Sequence, residues 1–260
     1  MTRNIKVLVY GEWPNQSNNI LPFFTASFPE KEIFDAKEKS FNNPFRFLFV
    51  GNLVRGKNPL KAIKMVQELQ TLMGLNQESW QLHLNIYGDG PERAMLEYYC
   101  EKHNLKRLVR FKGNRTLEEL KMAYEDAHFV ILPSQSEGWP KAVAEGMFFG
   151  CIPIATAVSC VPWMLNYGSR GILIPDLGKR EEEREKGERV ESGKWKEESH
   201  EVLDETVKKI VKIIKDPVEM RRISRQAQEW SQQYTVEKFE EAIKKVLPPQ
   251  APKGEQQKIV

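Results

Sequence analysis

The amino-acid sequence predicts an α/β fold in which a parallel β-sheet is covered by helices on both faces. Between residues 46 and 175, short apolar runs typical of strands alternate with longer segments whose apolar residues recur at helical spacing. Strands that alternate with helices through short connections pair in parallel. The strand runs also lack a regular alternation of polar and apolar residues, as expected for a sheet buried on both faces.

The individual elements can be placed from the apolar runs and from helix start signals. The predicted strands are 46–50, 82–87, 108–112, 128–132, 152–155 and 171–174. Helices are predicted to begin near Pro59, Pro91, Thr116 and Lys141. Proline suits the first helical turn, where its missing N–H is not needed. Thr116 and Glu119 have the spacing of a capping box.

The two ends of the chain differ from this central part. A strand is predicted at 5–10, followed by a Gly/Pro/Asn-rich stretch and an irregular segment that runs to Asn43. Three amphipathic helices are predicted near the C-terminus, at 202–215, 217–233 and 235–246. The predicted organisation is a segment before the sheet (1–43), an α/β domain (44–247) with a charged loop or insertion (178–201), and a disordered tail (248–260).

Composition and charge exclude several classes of protein. The 260 residues include 39 Lys and Arg and 36 Asp and Glu, a net charge of +3, without the basic excess of a nucleic-acid-binding protein. No run approaches the roughly 20 apolar residues of a membrane span, and the N-terminus does not resemble a signal peptide. The three cysteines form no C-x-x-C pair and the four histidines are far apart, so no metal site is predicted.

The strongest chemical signal lies in the segment 133–147, between the fourth strand and its helix. Glu137 and Glu145 stand eight positions apart, and the backbone amides from Gly138 to Ala142 lead into a helix N-terminus. Carboxylates accept hydrogen bonds from vicinal hydroxyls, and amides donate to phosphate oxygens. The pattern suits a ligand with both groups, although solvated or helix-capping glutamates would give the same sequence.

A second signal follows the first strand. The stretch from Gly51 to Lys57 matches the P-loop pattern G-x-x-x-x-G-K-[ST] except that Asn58 replaces the magnesium-binding hydroxyl, so a P-loop NTPase is a weak alternative. Arg55 and Lys57 are nonetheless cations beyond a strand end, where they could neutralise a diphosphate. The turn 88–91 (Gly-Asp-Gly-Pro) lacks the third glycine of a dinucleotide-binding loop.

Together these stretches resemble the C-terminal half of a retaining GT-B glycosyltransferase of the large group 1 class (family 4). The resemblance covers about residues 45–175. It is carried, in order, by the glycine and Arg/Lys loop at 51–57, Gly-x-Gly-Pro at 88–91, the strand end at 111–113, the two glutamates in E-x7-E spacing, the stretch 146–156 and the strand 171–174. It implies a Rossmann-like parallel sheet with a helical C-terminal extension.

The resemblance also implies a nucleotide-diphospho-sugar donor and a role for each matching residue. Lys57, helped by Arg55, would contact the diphosphate; Glu137 would contact the transferred sugar, and Glu145 the ribose hydroxyls. Lys57 and Glu137 are therefore the candidate catalytic residues. Further donor contacts are implied for Gly51, Asn52, Gly88, Gly90, Arg110, Phe111, Lys112, Gly113, Gly138, Trp139, Pro140, Lys141 and Ala142. No cofactor and no metal are implied, because a helix N-terminus and cations stabilise the leaving diphosphate.

Several features depart from the family pattern. Asn52 stands where arginine is usual, Gly146 where alanine is usual, Pro140 removes one amide, and the stretch 159–163 (Ser-Cys-Val-Pro-Trp) replaces a glycine-rich loop. From this resemblance we also expect the acceptor-binding half to be missing, either because the chain is a fragment or because it works with a separate partner. We therefore expect a donor-binding half with weak or no transfer activity alone, its partners being a nucleotide-sugar donor, a saccharide or lipid-linked acceptor and a separate N-terminal acceptor domain.

Two further expectations complete the interpretation. The alternative function is a non-catalytic nucleotide-sugar-binding or interaction module. The expected location is the cytoplasm. Peripheral contact with the inner membrane face, through basic and aromatic residues of the C-terminal helices, is less favoured than a solvated helix face; those residues are Lys208, Lys209, Lys212 and Trp230.

Overall fold

A six-stranded parallel sheet forms the centre of the molecule. The computed structural model describes residues 6–13, 15–34, 39–75, 80–176 and 192–247. The strands are β1 (Val7–Tyr10), β2 (Ile20–Phe23), β3 (Phe45–Val50), β4 (Leu82–Tyr87), β5 (Val109–Gly113), β6 (Phe129–Leu132), β7 (Ile152–Thr156) and β8 (Ile172–Ile174). The large sheet has the order β5-β4-β3-β6-β7-β8, and all its strand pairs are parallel.

The strand order creates one topological switch point. β3 pairs with β4 on one side and with β6 on the other, through Phe47 opposite Phe129 and Leu48 opposite Val130. The sheet therefore grows from β3 through β4 to β5 on one side of this pair, and from β6 through β7 to β8 on the other. Because the connections are right-handed, helices cover both faces of the sheet. Ligands of such sheets bind beyond the carboxyl ends of the strands at the switch point. The loops after β3 and β6 are those in which the sequence predicts the site.

Helices cover the sheet, most of them near the positions that the start signals predict. They are α1 (Pro59–Leu75), α2 (Arg93–Lys102), α3 (Leu117–Asp126), α4 (Lys141–Phe148), α5 (Val161–Met164), α6 (Ser192–Ile214), α7 (Pro217–Ser231) and α8 (Val236–Val246). The capping box before α3 is present: Thr116 Oγ1 accepts from the Glu119 amide, and the Glu119 carboxylate accepts from the Thr116 amide. The buried core includes stacked rings of Phe47 and Phe129, whose centroids are 4.7 Å apart.

Three sequence-based expectations were wrong in detail. Strand β2 lies in the segment that was expected to be irregular. It contains Pro22, and a proline within a short apolar run argues against a strand. The helix expected to start at 202 begins at Ser192, inside the predicted charged loop, and α2 begins at Arg93 rather than Pro91. The rest of that loop and the predicted tail lie outside the described residues.

Trp230 does not share the exposed helix face of the C-terminal lysines. Its ring lies 5.2 Å from that of Trp163, and the Arg170 guanidinium lies 4.9 Å above it. Lys208, by contrast, is exposed and pairs with Asp204. In the described part of the chain, no helix combines the length and apolar character that a membrane crossing requires.

Strands β1 and β2 form a separate two-stranded parallel sheet. It leaves apolar side chains at the surface, namely Val7, Leu8 and Tyr10, each more than one third exposed. Tyr10 also touches the main domain, because its ring lies 6.3 Å from that of Trp139. The small sheet is therefore docked beside the loop that follows β6.

Candidate active site

An ion pair joins the two loops at the switch point. The loop after β3 ends in a 3-10 turn, Arg55–Lys57, and the backbone oxygen of Gly56 accepts a hydrogen bond from the Gln135 amide at 2.8 Å. Lys57 Nζ donates to Glu137 Oε1 at 2.6 Å. The Lys57 side chain is 32% exposed and that of Glu137 only 7%. A cation open to solvent is thus fixed against a largely buried carboxylate.

The loop after β4 packs directly on the backbone of the loop after β3. A Cβ atom on Gly88, whose φ is +132°, would lie 2.0 Å from the Gly51 carbonyl oxygen, and one on Gly90 would lie 2.6 Å from that of Leu53. The Leu53 amide also donates to the Asp89 carbonyl oxygen at 2.9 Å. Glycine is therefore needed at both predicted positions so that the two loops can meet.

The end of β5 continues this edge. The Gly88 amide donates to the Gly113 carbonyl oxygen at 2.9 Å, while Phe111 and Lys112 are half-buried and Arg110 is exposed. Asn52 and Arg55, at the other end of the edge, are also exposed. A hydrogen bond from the Gly90 amide lowers the pKa of the Asp89 carboxyl below its usual range, and a second one from Arg93 has a smaller effect in the same direction. The predicted base and diphosphate residues thus line one continuous edge.

Helix α4 begins at this edge without a side-chain cap. Its N-cap residue is Pro140, and no side chain satisfies the amides of its first turn. The Val143 amide donates to the Pro140 carbonyl oxygen at 3.0 Å, whereas the Lys141 and Ala142 amides have no acceptor within the helix. The positive end of the helix dipole favours an anion there. Lys141 is exposed and Ala142 half-buried, so this first turn is open to a ligand.

The side chain of Trp139 turns into the protein. It is 7% exposed and packs among the rings of Tyr10, Phe24, Trp163, Trp230 and Tyr234, at 5.4 to 6.5 Å between centroids. The neighbouring Gly138 carbonyl accepts from Cys160 Sγ at 3.1 Å. Burial, and then the charge of Glu137, raise the pKa of the Cys160 thiol to about 11. The Trp139 side chain therefore anchors the loop that carries Glu137 and is not available to a ligand. The backbone of this loop is the part that a ligand can reach.

Glu145 is held by two hydroxyl groups that sequence reasoning missed. Ser27 Oγ donates to Glu145 Oε1 at 2.5 Å, and the Tyr124 hydroxyl donates to Oε2 at 2.8 Å. Burial, and then the Glu145 charge, raise the pKa of Tyr124 well above its usual range. Ser27 lies 118 positions from Glu145, and no local pattern connects them. Tyr124 could have been noted as an apolar-face residue of α3, but not as a partner of Glu145.

The types of charged side chain at this edge limit what it can bind. Among the described residues, no group of three or more His, Cys, Asp or Glu side chains could hold a metal ion. The charges nearest the switch point include those of Lys57, Arg55, Glu137 and Glu145. Such a set, beside free amides, can bind a ligand that combines phosphates with hydroxyls.

The sequence comparison identifies the family. Residues 30–209, more than half of the chain, match the family model of the glycosyl transferases group 1. The chain belongs to this family. The P-loop NTPase alternative is therefore set aside. The resemblance to the group 1 glycosyltransferases that the motifs indicate is confirmed.

One curated relative is similar over half of this chain. An α-1,4-N-acetyl-D-galactosaminyltransferase of Campylobacter jejuni, named for a GalNAc- and diNAcBac-containing undecaprenol acceptor, is 32% identical over 130 residues. The match covers 50% of this chain and 33% of that enzyme. The chain thus spans about a third of the length of such relatives.

Solved structures confirm the GT-B type of α/β fold for this domain. TarM of S. aureus, in a complex with fondaparinux, α-GlcNAc-glycerol and UDP, has a TM-score of 0.65 at 18% identity. The match covers 93% of this chain and 43% of TarM. HepE of Anabaena, in complex with UDP and glucose, has a TM-score of 0.63 at 16% identity, covering 90% of this chain and 58% of HepE.

Proposed function

We propose that this chain is the donor-binding half of a retaining glycosyltransferase and that it binds a nucleotide-diphospho-sugar at the switch point. The observation that carries the proposal is the Lys57–Glu137 pair, because it joins a diphosphate cation to a sugar-facing carboxylate beside the uncapped start of α4. Structural neighbours contain UDP, so a UDP-sugar is the first donor to test.

The diphosphate would lie between the Lys57 ammonium and the first turn of α4. An ammonium has three N–H donors, and one is used by Glu137, so two remain for phosphate oxygens. Arg55 is exposed on the same 3-10 turn and adds a second cation. As the sugar leaves, negative charge grows on the diphosphate, and these preorganised donors stabilise it most in the transition state.

The two glutamates would bind the hydroxyl groups at either side of the diphosphate. Glu137 is held in place by Lys57 and would accept hydrogen bonds from the transferred sugar. Glu145 is the fifth residue of α4 and would accept hydrogen bonds from the ribose. The residues at the end of β5, Arg110 to Gly113, would lie along the base. Retention of the anomeric configuration follows from the family resemblance and is part of the proposal.

The acceptor site would be built by a second domain. Two observations support this: the chain spans about a third of a matching relative, and the β1–β2 pair exposes apolar side chains as an incomplete sheet does. A non-catalytic nucleotide-sugar-binding module is the second candidate. It predicts the same donor affinity but no transfer or donor hydrolysis when an acceptor domain is supplied.

Titration calorimetry of the full chain against UDP-, GDP- and ADP-sugars, without divalent metal, tests the donor site. We expect saturable binding to a sugar nucleotide with one of the three bases, and weaker binding to the Lys57→Ala variant. Absence of binding to all three would overturn the proposal. If binding is found, transfer assays with and without a supplied acceptor domain separate the enzyme half from the binding module.

A further inference from the structure

The Glu145 carboxylate is only half-saturated by its partners within the chain. Each of its oxygens accepts one hydroxyl hydrogen bond, Oε1 from Ser27 and Oε2 from Tyr124. A carboxylate offers about four acceptor sites, two on each oxygen. One site therefore remains on each oxygen. A vicinal diol needs this arrangement, because its two hydroxyls donate side by side.

We propose that Ser27 and Tyr124 are positioning residues that orient Glu145 for the ribose diol of the donor nucleotide. This inference rests on the proposed function, in which Glu145 binds the ribose. Neither hydroxyl touches the nucleotide. Each fixes one carboxylate oxygen, so that the plane of the carboxylate is set before the ligand arrives and the ordering cost on binding is smaller.

Both hydroxyl groups are themselves firmly held. Tyr124 is fully buried, and its ring stacks parallel to that of Phe149 at 6.2 Å. Ser27 precedes Phe28, which is 5% exposed and packs on Phe148 and Phe149 with centroid distances of 5.2 and 4.8 Å. The two donors reach Glu145 from different elements, α3 and the segment before β3. Residues outside the α/β domain proper thus contribute to ribose recognition.

The test compares a nucleoside diphosphate with the analogue that lacks the diol. UDP and 2′,3′-dideoxy-UDP are titrated into the full chain; GDP or ADP and their dideoxy analogues replace them if the donor panel selects another base. The variants are Ser27→Ala, Ser27→Thr and Tyr124→Phe. Ser17→Ala and Tyr98→Phe are matched controls, because both residues are exposed and each substitution removes a hydroxyl group that lies away from the site.

The measured quantity is the ratio of the two affinities. We expect the parent to prefer UDP by about tenfold or more, because two hydrogen bonds to a charged acceptor are lost in the analogue. Ser27→Ala and Tyr124→Phe should lower this ratio by about threefold or more while the affinity for dideoxy-UDP stays within twofold. Ser27→Thr, which keeps a hydroxyl, and both controls should keep the ratio of the parent.

Each other outcome overturns a different statement. Equal affinity of the parent for UDP and its analogue would show that Glu145 does not bind the ribose diol, and would overturn the proposed function of that residue. A parent that discriminates, with variants that discriminate equally, would overturn the positioning role alone. Equal losses for both ligands would show that Ser27 and Tyr124 only support packing. Tighter UDP binding by Ser27→Ala would show that the serine competes with the ribose.

Discussion

Lys57 Nζ and Glu137 Oε1 lie 2.6 Å apart, although the residues are 80 positions apart in the sequence. The pair connects the loops that follow β3 and β6, the two strands at the switch point of the sheet. Because the Glu137 side chain is only 7% exposed, loss of this partner would leave a carboxylate that water reaches poorly. The pair therefore contributes to the stability of the site as well as to its charge.

Replacing Lys57 by methionine should destabilise the protein measurably. The Lys57→Met variant leaves a largely buried carboxylate without its cation, and we expect the free energy of unfolding in urea to fall by about 1–3 kcal/mol. The control is Lys106→Met, since Lys106 and Glu101 form an ion pair that is 72% and 65% exposed. That change should cost less than about 1 kcal/mol.

The double variant Lys57→Met/Glu137→Gln sharpens this prediction. It removes the unpaired charge, so part of the stability lost in Lys57→Met should return. Equal losses in Lys57→Met and in Lys106→Met, or a double variant no more stable than Lys57→Met, would show that the pair has no special role in stability.

Replacing Glu137 by glutamine should separate sugar binding from nucleotide binding. The side chain keeps its size but loses its charge, so affinity for the sugar nucleotide should fall by about 1–3 kcal/mol. The bare nucleoside diphosphate should lose less, because its phosphates are attracted to Lys57, which the change leaves in place. Calorimetry with both ligands measures the difference. Equal losses would contradict the placement of Glu137 at the sugar.

The sequence is informative about the positions of the site residues but not about their mutual contacts. Lys57 and Glu137 were both found because each follows a predicted strand, yet their pairing depends on β3 and β6 being neighbours in space. The contact of Ser27 with Glu145 has no local signal at all. Strand β2 was missed since its four residues include a proline, and only its pairing with β1 identifies it.

Replacing Gly88 by alanine should disrupt the edge of the sheet where the site is built. The added Cβ would lie 2.0 Å from a backbone oxygen that cannot move aside as a side chain can, and the φ of +132° is unfavourable for alanine. We expect a loss of about 3 kcal/mol or more in the free energy of unfolding, from steric overlap together with backbone strain. Thermal and urea denaturation measure it.

Gly74→Ala is the matched control for this change. Gly74 lies in α1, and a Cβ atom there would meet nothing within 4 Å. Alanine should stabilise that helix by about 0.5–1 kcal/mol, because it restricts the unfolded chain. A Gly88→Ala variant as stable as Gly74→Ala would show that the loops after β3 and β4 can separate without consequence.

Gly146→Ala should destabilise the protein even though alanine favours helices. Gly146 lies in α4, and its added Cβ would be 2.7 Å from a methyl carbon of Val130 in β6. Overpacking of about 1–3 kcal/mol exceeds the roughly 1 kcal/mol gained in helix propensity. The Val130→Ala background removes the methyl contact but keeps the Val130 Cβ, 2.9 Å from the added atom, so Gly146→Ala should cost less there than in the parent. A stabilising effect in the parent would show that α4 moves freely on the sheet.

His128 should make the stability of the protein depend on pH without changing the ligand site. Its Nδ1 accepts the Arg46 amide hydrogen at 3.0 Å, so Nε2 carries the proton and donates to the Ser40 carbonyl at 2.9 Å. Burial, followed by the charges of Arg46 and Lys39, lowers the pKa of His128 from 6.5 to about 4, against the opposing effect of the Ser40 carbonyl. The neutral ring is thus the form that fits the fold.

The direction of the pH effect follows from where each state binds the proton. Between pH 6.5 and about 4 the unfolded chain is protonated at His128 and the folded chain is not, so the free energy of unfolding falls as the pH falls. The full contribution, about 3 kcal/mol, is present above pH 6.5 and is lost by about pH 4. Urea denaturation at several pH values should therefore show a fall in the free energy of unfolding that is smaller in His128→Gln than in the parent.

Nucleotide affinity should not follow this titration as long as the protein is folded. His128 precedes β6 and therefore lies at the opposite end of that strand from Glu137. Identical pH profiles of stability for the parent and His128→Gln would contradict the lowered pKa.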